Sequence, residues 1–240
     1  MTGAAKARIR SLVRKGVRKV GYDIVPFSAG TAQFQRRSLL TCQQVIDVGA
    51  NVGQFAERVR DLGFQGPILS FEPSGNAYST LESKAAADDL WEVRNLAIGE
   101  KRGLATLLIS ENSVSSSLLK VAPLHLDAAP ESRLSSTETV KVSTLDDELA
   151  DDAQGLYLKL DIQGFELAAL RGAVNALSSA DIVQVEVSFA PLYENQGSWL
   201  DVSRFLEDHG FAVVWVDPGY EHRVTTQMLQ ADLFFKRQTT

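Results

Sequence analysis

The stretch Val45-Ile46-Asp47-Val48-Gly49-Ala50-Asn51-Val52-Gly53 decides how the rest of the chain is read. An apolar run broken only by Asp47 predicts a strand, Gln44–Val48, buried on both faces. The glycines after it predict a tight turn into a helix. Gly49 permits the turn and Gly53 lets the backbone come close to a ligand, since neither carries a Cβ. Such a turn cradles a nucleotide. Asp47, at the strand tip, suits a ligand that brings an ammonium group, whereas a dinucleotide site would want a third glycine and a helix terminus free for pyrophosphate.

Outward from this stretch, short apolar runs alternate with longer amphipathic ones, the pattern of βα units around a parallel sheet. Further strands are expected at Pro67–Glu72, Trp91–Asn95, Leu156–Asp161, Ile182–Val187, Ala212–Val216 and Asp232–Lys236. The apolar spacing predicts helices over 53–63, 75–87, 164–178 and 198–209. Glu72 closes the second strand 25 residues beyond Asp47, where a carboxylate can accept both hydroxyls of a ribose. Taken alone it would be only a strand-end charge.

Residues 104–142 interrupt the rhythm with a strand-like Ala105–Ile109, the polar run Glu111–Ser117 and a Pro-, Ala- and Ser-containing stretch from Pro123 to Ser136. This is expected to be a lid or substrate-facing insertion, a plain disordered loop being the alternative. The chain has 240 residues, 45% of them hydrophobic and 22% charged, which fits one soluble domain and excludes a fibrous or largely disordered chain. Cys42 is the single cysteine, so no internal disulfide can form, and a cytoplasmic location is expected. No apolar run approaches the ~20 residues of a membrane span, and no signal-peptide series opens the chain.

The net charge of -6 is unevenly distributed: residues 1–40 hold nine Lys and Arg against Asp23 alone, and the remainder holds 15 against 29 acids. Between Lys6 and Val20, Ile9, Leu12, Val13, Val17 and Val20 recur at three- and four-residue steps among basic residues, predicting a basic amphipathic helix. It either lies on an anionic membrane surface, over residues 6–20, or packs on the acidic body. The chain thus divides into a basic helical extension, 1–40, and a domain, 41–240.

Leu158-Lys159-Leu160-Asp161-Ile162-Gln163-Gly164-Phe165-Glu166 places charges in and beside an apolar strand. Lys159 and Asp161 share one strand face by the period-two rule, which makes them candidates for one site; the plainer reading is a Lys159 salt bridge at the sheet edge. Glu186 adds an acid near the end of the next strand. His125, His209 and His222 stand singly without metal-ligand spacing; His209 suits a helix C-terminus, and His125 is an alternative base. Asp161 and Glu186 could hold Mg²⁺, which prefers oxygen ligands, but two acids alone do not establish such a site, and no obligatory metal is expected.

D-V-G-A-N-V-G-Q-F at 47–55, F-E-P at 71–73, N-L-A-I-G at 95–99, S-S-S-L at 115–118, L-K-L-D-I-Q-G-F-E at 158–166 and V-E-V-S-F at 185–189 resemble the FkbM family of S-adenosylmethionine-dependent methyltransferases. The likeness spans about residues 40–240; Gln163 stands where many members carry glutamate. The resemblance implies the α/β class I methyltransferase (Rossmann-like) fold: a seven-stranded, mostly parallel sheet with an antiparallel last strand. It also implies S-adenosylmethionine as cofactor, with Asp47, Gly49, Asn51 and Gly53 at its amino-acid end, Glu72 at the ribose and Asn95 and Ala97 near the adenine. Ser115 and Ser116 would meet the cofactor carboxylate or the acceptor, the alternative being an ordinary polar turn.

The implied reaction is O-methylation of a sugar or glycolipid hydroxyl, or of a polyketide-type product. Asp161 is the first choice of base for the departing proton and Glu186 the second, with Lys159 orienting either carboxylate or the acceptor. No nucleic-acid partner is expected. A nucleotide-cofactor oxidoreductase and a non-catalytic module anchored by its basic helix are the competing functions.

Overall fold

The computed structural model describes residues 30–150 and 152–238. The basic stretch 6–20 lies outside the described residues. The first strand, β1 (Gln44–Val48), is the hydrophobic centre: Val45, Ile46 and Val48 are at most 1% exposed. β2 (Ile68–Phe71) and β3 (Trp91–Arg94) pair parallel on one side of it. On the other side lie β7 (Leu156–Leu160) and β8 (Ala180–Ser188), also parallel. β9 (Phe211–Pro218) and β10 (Gln230–Arg237) form a closing hairpin in which β10 runs antiparallel to both β8 and β9. The order is β3-β2-β1-β7-β8-β10-β9, the seven-stranded sheet expected from the sequence.

Period-two alternation sends neighbouring residues to opposite faces. Val45, Tyr157 and Ile182 pack beneath α1 (Thr31–Leu39), α2 (Gln54–Asp61) and α3 (Gly75–Ala85), through Leu39, Val59 and Leu81. Ile46, Leu158 and Val183 meet α6 (Glu166–Arg171), α7 (Val174–Ser178) and α8 (Trp199–Asp208), through Leu170, Leu177 and Leu206. Each fully buried Leu or Val on these faces contributes about 1.5–3 kcal/mol. α8 starts where its cap dictates, with Ser198 and Asp201 forming a reciprocal capping box.

Two expectations change, and for the 104–142 insertion the alternative of a disordered loop falls away. The proposed boundary at residue 40 is too late: α1 is part of the domain, with Phe34 stacked on Trp215 at 5.5 Å and edge-on to Phe234 at 5.2 Å. The single helix expected over 164–178 is two short ones, because the chain leaves α6 at Gly172, where an added Cβ would lie 2.1 Å from the Gly99 carbonyl oxygen. The 104–142 insertion is an ordered second sheet. Here β6 (Leu134–Ser143) pairs parallel to β4 (Ala97–Ile98) and antiparallel to β5 (Gly103–Ser110). The short helix α4 (Pro123–Ala128) precedes β6, and α5 (Leu145–Glu148) follows it. No helix among the described residues is long and apolar enough to cross a membrane.

Gly172→Ala should force the Gly99 backbone away and lower stability by about 1–3 kcal/mol. Urea titration should show a lower midpoint with an unchanged slope.

Candidate functional site

Where the strand order reverses, between β1 and β7, a cavity of about 550 Å³ opens at the carboxyl ends of the strands. Its floor is made by a crossing of backbones. Gly49, at φ 82°, passes so close to the end of β7 that an added Cβ would lie 1.9 Å from the Asp161 carbonyl oxygen. Asn51 follows in the left-handed region at φ 48°. The turn is tied to β2 by the Gly49 and Ala50 amides, both donating to the Phe71 carbonyl at 3.0 Å.

Glu72 faces this turn. The Asn51 amide donates to its Oε2 and the Ser74 amide to its Oε1, each at 2.8 Å. Burial outweighs these two bonds and pushes its carboxyl up to about 7. Asn95 does not reach the cavity wall; its Nδ2 donates to the Glu72 and Pro73 carbonyls at 2.9 and 3.0 Å and so props the tip of β2. Ala97 lines the wall with Leu96 and Ile98. Gly53 is also set back from the cavity wall: the space a Cβ would need is filled by the Trp91 ring at 2.7 Å, so the missing side chain admits that ring.

Asp47 is the main correction to the sequence reading. It is fully buried and absent from the cavity wall, and the ammonium it meets belongs to the protein. Lys159 stands opposite it in register on β7, in the middle of the sheet and not at its edge. Its Nζ lies 3.1 Å from Asp47 Oδ1 and 3.6 Å from Asp161 Oδ2, and donates to the Gly49 carbonyl at 3.0 Å. Burial works against the charge on Lys159, but Asp47 and Asp161 outweigh it and raise its pKa above the usual lysine value. Behind the pair, Trp91 Nε1 donates to Ser70 Oγ at 3.0 Å, and Ser70 Oγ to Asp47 Oδ2 at 3.4 Å.

The two expected bases come together through a residue to which the sequence gives no role. Gln163, at φ 58°, donates from Nε2 to Asp161 Oδ1 and to Glu186 Oε2, both at 2.8 Å. Its Oε1 accepts from the Tyr193 hydroxyl at 2.6 Å, which fixes the amide's orientation. Gln230 Nε2 donates to Glu186 Oε2 at 2.7 Å. Burial first, then Asp161, Glu166 and Asp232 nearby, hold the Glu186 carboxyl well above its usual range. Glu166 anchors the loop, accepting from the Ile162 and Gly164 amides at 3.0 and 3.1 Å. Gln163 lies within the motif at 158–166, but a neutral side chain gives no sign of its partners; Tyr193 comes from a loop without periodicity.

Ser115, Ser116 and His125 line the same cavity from the insertion. Ser132 Oγ bridges Ser115 Oγ at 3.0 Å and His125 Nε2 at 3.1 Å, and Ser116 Oγ accepts from the Ser110 amide at 3.2 Å. Burial lowers the His125 pKa and favours the neutral ring, which packs edge-on to Tyr193 at 5.1 Å. His209 sits elsewhere, closing α8 by its Nδ1 contact to the Phe205 carbonyl at 2.6 Å. Of the expected site residues, Gly49, Asn51, Glu72, Ala97, Ser115, Ser116, Lys159, Asp161 and Glu186 thus share one cavity, while Asp47, Gly53 and Asn95 stand behind it.

A seven-stranded sheet whose last strand inserts antiparallel at the penultimate position, with a cleft at the reversal of strand order, defines the class I methyltransferase architecture. Residues 47–213 match the family described as methyltransferase FkbM domain. The chain belongs to the FkbM methyltransferase family. Among solved structures it is similar to a methyltransferase FkbM from Methylobacillus flagellatus KT, at TM-score 0.52 and 17% identity over 81% of this chain. The match spans 44% of that protein's length, so this chain corresponds to less than half of it. It is also similar to a putative tRNA methyltransferase from Streptococcus pneumoniae in complex with S-adenosyl-L-methionine, at TM-score 0.50 and 12% identity over 87% of this chain and 72% of that one. These likenesses concern the fold. Among curated proteins no sequence match is found.

The Glu72 carboxyl rises from 4.5 to about 7 on folding, so the native state holds more protons than the unfolded chain between those values. The Glu72 contribution to stability is then fully present below about pH 4.5 and is lost as pH rises through 7. Glu72→Gln should flatten that slope by about 1–3 kcal/mol. Urea unfolding at pH 5 and pH 8 in both proteins checks it.

Proposed function

We propose that the chain is an S-adenosylmethionine-dependent O-methyltransferase acting on a hydroxyl of a sugar or glycolipid, or of a polyketide-type product. The observation that carries this reading is the single cavity shared by Glu72, Asp161 and Glu186 at the strand-order reversal. The residues fit the cofactor: Asn51 Oδ1 is buried there without a partner, and among the described residues lining the cavity five acids outnumber the two cations, Lys159 and Arg58. Glu72 would accept the ribose hydroxyls, the Gly49–Asn51 turn would hold the amino-acid end, and Leu96, Ala97, Ile98, Ile162 and Phe165 would enclose the adenine. When bound, the cofactor supplies an electrophilic methyl group on a sulfonium.

The protein itself must hold an acceptor hydroxyl in line with that methyl and take its proton. Asp161 is the first candidate to take the proton, and its 36% side-chain exposure supports this, since a proton it accepts can pass to solvent. Gln163 fixes the carboxylate, and Lys159 anchors its other oxygen. Glu186 is the second candidate, and Ser115, Ser116 and His125 form the opposite wall. The basic stretch 6–20 supports peripheral membrane contact, which would bring a lipid-linked acceptor near the cavity.

Calorimetric titration should give binding of S-adenosylmethionine and none of NAD; binding of neither would leave a non-catalytic module. Asp161→Ala should lower kcat by about 10²–10⁴-fold while keeping cofactor affinity, and Glu72→Ala should weaken cofactor binding about 10–100-fold. Turnover is read by transfer of a radiolabelled methyl to crude cell glycolipids, and wild-type rates in Asp161→Ala would reject its role. Deleting residues 1–20 should reduce sedimentation with anionic vesicles.

A further inference from the structure

Two tyrosine hydroxyls beside the cavity end on the same arrangement, a carboxamide whose nitrogen faces a carboxylate. Tyr157 donates to Gln184 Oε1 at 2.8 Å, and Gln184 Nε2 donates to Asp232 Oδ2 at 3.1 Å. Gln184 Oε1 has a second donor, Gln35 Nε2 at 3.2 Å. Tyr193 donates to Gln163 Oε1 at 2.6 Å, and Gln163 Nε2 donates to Asp161 and to Glu186, each at 2.8 Å. Among the described residues Tyr193 is the one donor to Gln163 Oε1, and the amide it holds meets both candidate bases.

Tyr193 is 1% exposed and is gripped on several sides. Its amide donates to Gln196 Oε1 at 2.8 Å, and its ring rests on Gly164, where an added Cβ would lie 3.0 Å from ring carbon Cδ2. From the insertion, His125 meets the ring edge-on and Val121 pairs with Tyr193 as an antiparallel bridge. Burial first, then Glu186, Glu166 and Asp161, push the hydroxyl pKa up, so the hydroxyl keeps its proton. That one hydrogen has two acceptors in reach, Gln163 Oε1 at 2.6 Å and the Ser115 carbonyl at 3.3 Å, and goes to the nearer.

The two ends of a carboxamide are nearly alike in shape, so what each end meets decides its orientation. With the nitrogen toward the acids, its N–H groups favour the charged carboxylate. With the ends exchanged, the oxygen would accept from a protonated carboxyl and favour the neutral acid. Glu186, held well above its usual range, is the group whose proton would reward that exchange. Tyr193 opposes it, because an exchanged amide would turn N–H toward a hydroxyl that is itself donating. The charged groups facing Asp161 are Lys159 from its own strand, Asp47 from β1, Glu186 from β8, Asp232 from β10 and Glu166 from α6. Four of these five are acids, whose charge favours protonation of any carboxylate among them.

We propose that Tyr193 is a positioning residue of the transfer reaction: acting through Gln163, it keeps Asp161 in the anionic form that can take the acceptor's proton. It rests on the methyltransferase reading for the reaction it serves. The insertion that forms the acceptor wall thereby reaches the first candidate base, since the same tyrosine is gripped by Val121 and His125.

The full chain, carrying carbon-13 at its aspartate carboxyls, is titrated by NMR as wild type, Tyr193→Phe, Gln163→Met and the double variant, with Asp161 and Asp232 assigned by Asp161→Asn and Asp232→Asn. In Tyr193→Phe the Asp161 midpoint should rise by about half to one pH unit, the worth of one hydrogen bond. The Asp232 midpoint, behind Tyr157 and Gln184, should not rise. Gln163→Met should raise the Asp161 midpoint at least as far, and adding Tyr193→Phe to it should raise it no further. With radiolabelled methyl transfer to crude cell glycolipids, the rising limb of kcat against pH should move up by the same interval in Tyr193→Phe, with the S-adenosylmethionine Kd unchanged. An unmoved Asp161 midpoint in folded Tyr193→Phe, an equal rise in the Gln163→Met background, or a kcat limb that does not follow the midpoint overturns the role of Tyr193 and leaves the methyltransferase reading standing. Should Tyr193→Phe fail to fold, Gln163→Met carries the titration, and an unmoved midpoint there overturns it equally. Cofactor binding without transfer to any glycolipid removes the proposed acceptor range, and the titration still decides the role of Tyr193. Absence of cofactor binding removes the methyltransferase reading and this role with it.

Discussion

One buried ammonium organises the centre of this protein. Lys159 on β7 reaches across to Asp47 on β1 and to the carbonyl of Gly49, and so joins two strands at the place where the chain's connections diverge. Parallel strands at such a point have a gap at their carboxyl ends, because the connections leave toward opposite faces. The Lys159 ion pair lies just beneath that gap. Removing one partner of a buried pair costs about 3–5 kcal/mol, since the other charge is left without compensation. The same ammonium also meets Asp161, so the group that joins the strands is continuous with the group proposed to take the acceptor's proton.

This arrangement explains where the sequence was legible and where it misled. The strands expected at Gln44–Val48, Leu156–Asp161 and Ile182–Val187 are apolar enough to be read, and all three are found, β7 ending one residue earlier and β8 running longer at both ends. Asp47 was equally visible as a charge at a strand tip. What a sequence does not display is the residue opposite it in register, here 112 positions away, and that neighbour turned an expected ligand contact into an internal ion pair. Gly53 misled for a similar reason. The absence of a Cβ is readable, but whether a ligand or the Trp91 ring uses the space is decided by packing.

The second sheet and the amide network were hidden for different reasons. β6 reads Leu-Ser-Ser-Thr-Glu-Thr-Val-Lys-Val-Ser and buries only Val140 and Ser143, so its pairing with β5 leaves almost no apolar alternation to detect. Glutamines carry even less signal. Gln35, Gln163, Gln184 and Gln230 sit in a helix, a turn and two strands, and become a set only once the sheet closes around them. Three of them are held by geometry that propensity does not encode: a left-handed backbone at Gln163, and register for Gln184 and Gln230.

Charge in the cavity follows from the same burial. Asp232 is pushed up to about 6 and Glu186 is held well above its usual range, each first by burial and then by neighbouring acids including Asp161, so the cavity resists adding negative charge. A cationic methyl donor relieves that resistance, because opposite charges attract strongly where water is scarce. For the proposed transfer, the carboxylate that takes the hydroxyl proton becomes neutral in the same step in which the sulfonium charge disappears. A pair of opposite charges is then replaced by two neutral groups, an exchange that costs less in a poorly solvated cavity than in water. Glu186, whose burial favours the proton, is therefore suited as second candidate to the end of the reaction, and the cation suits it to the start.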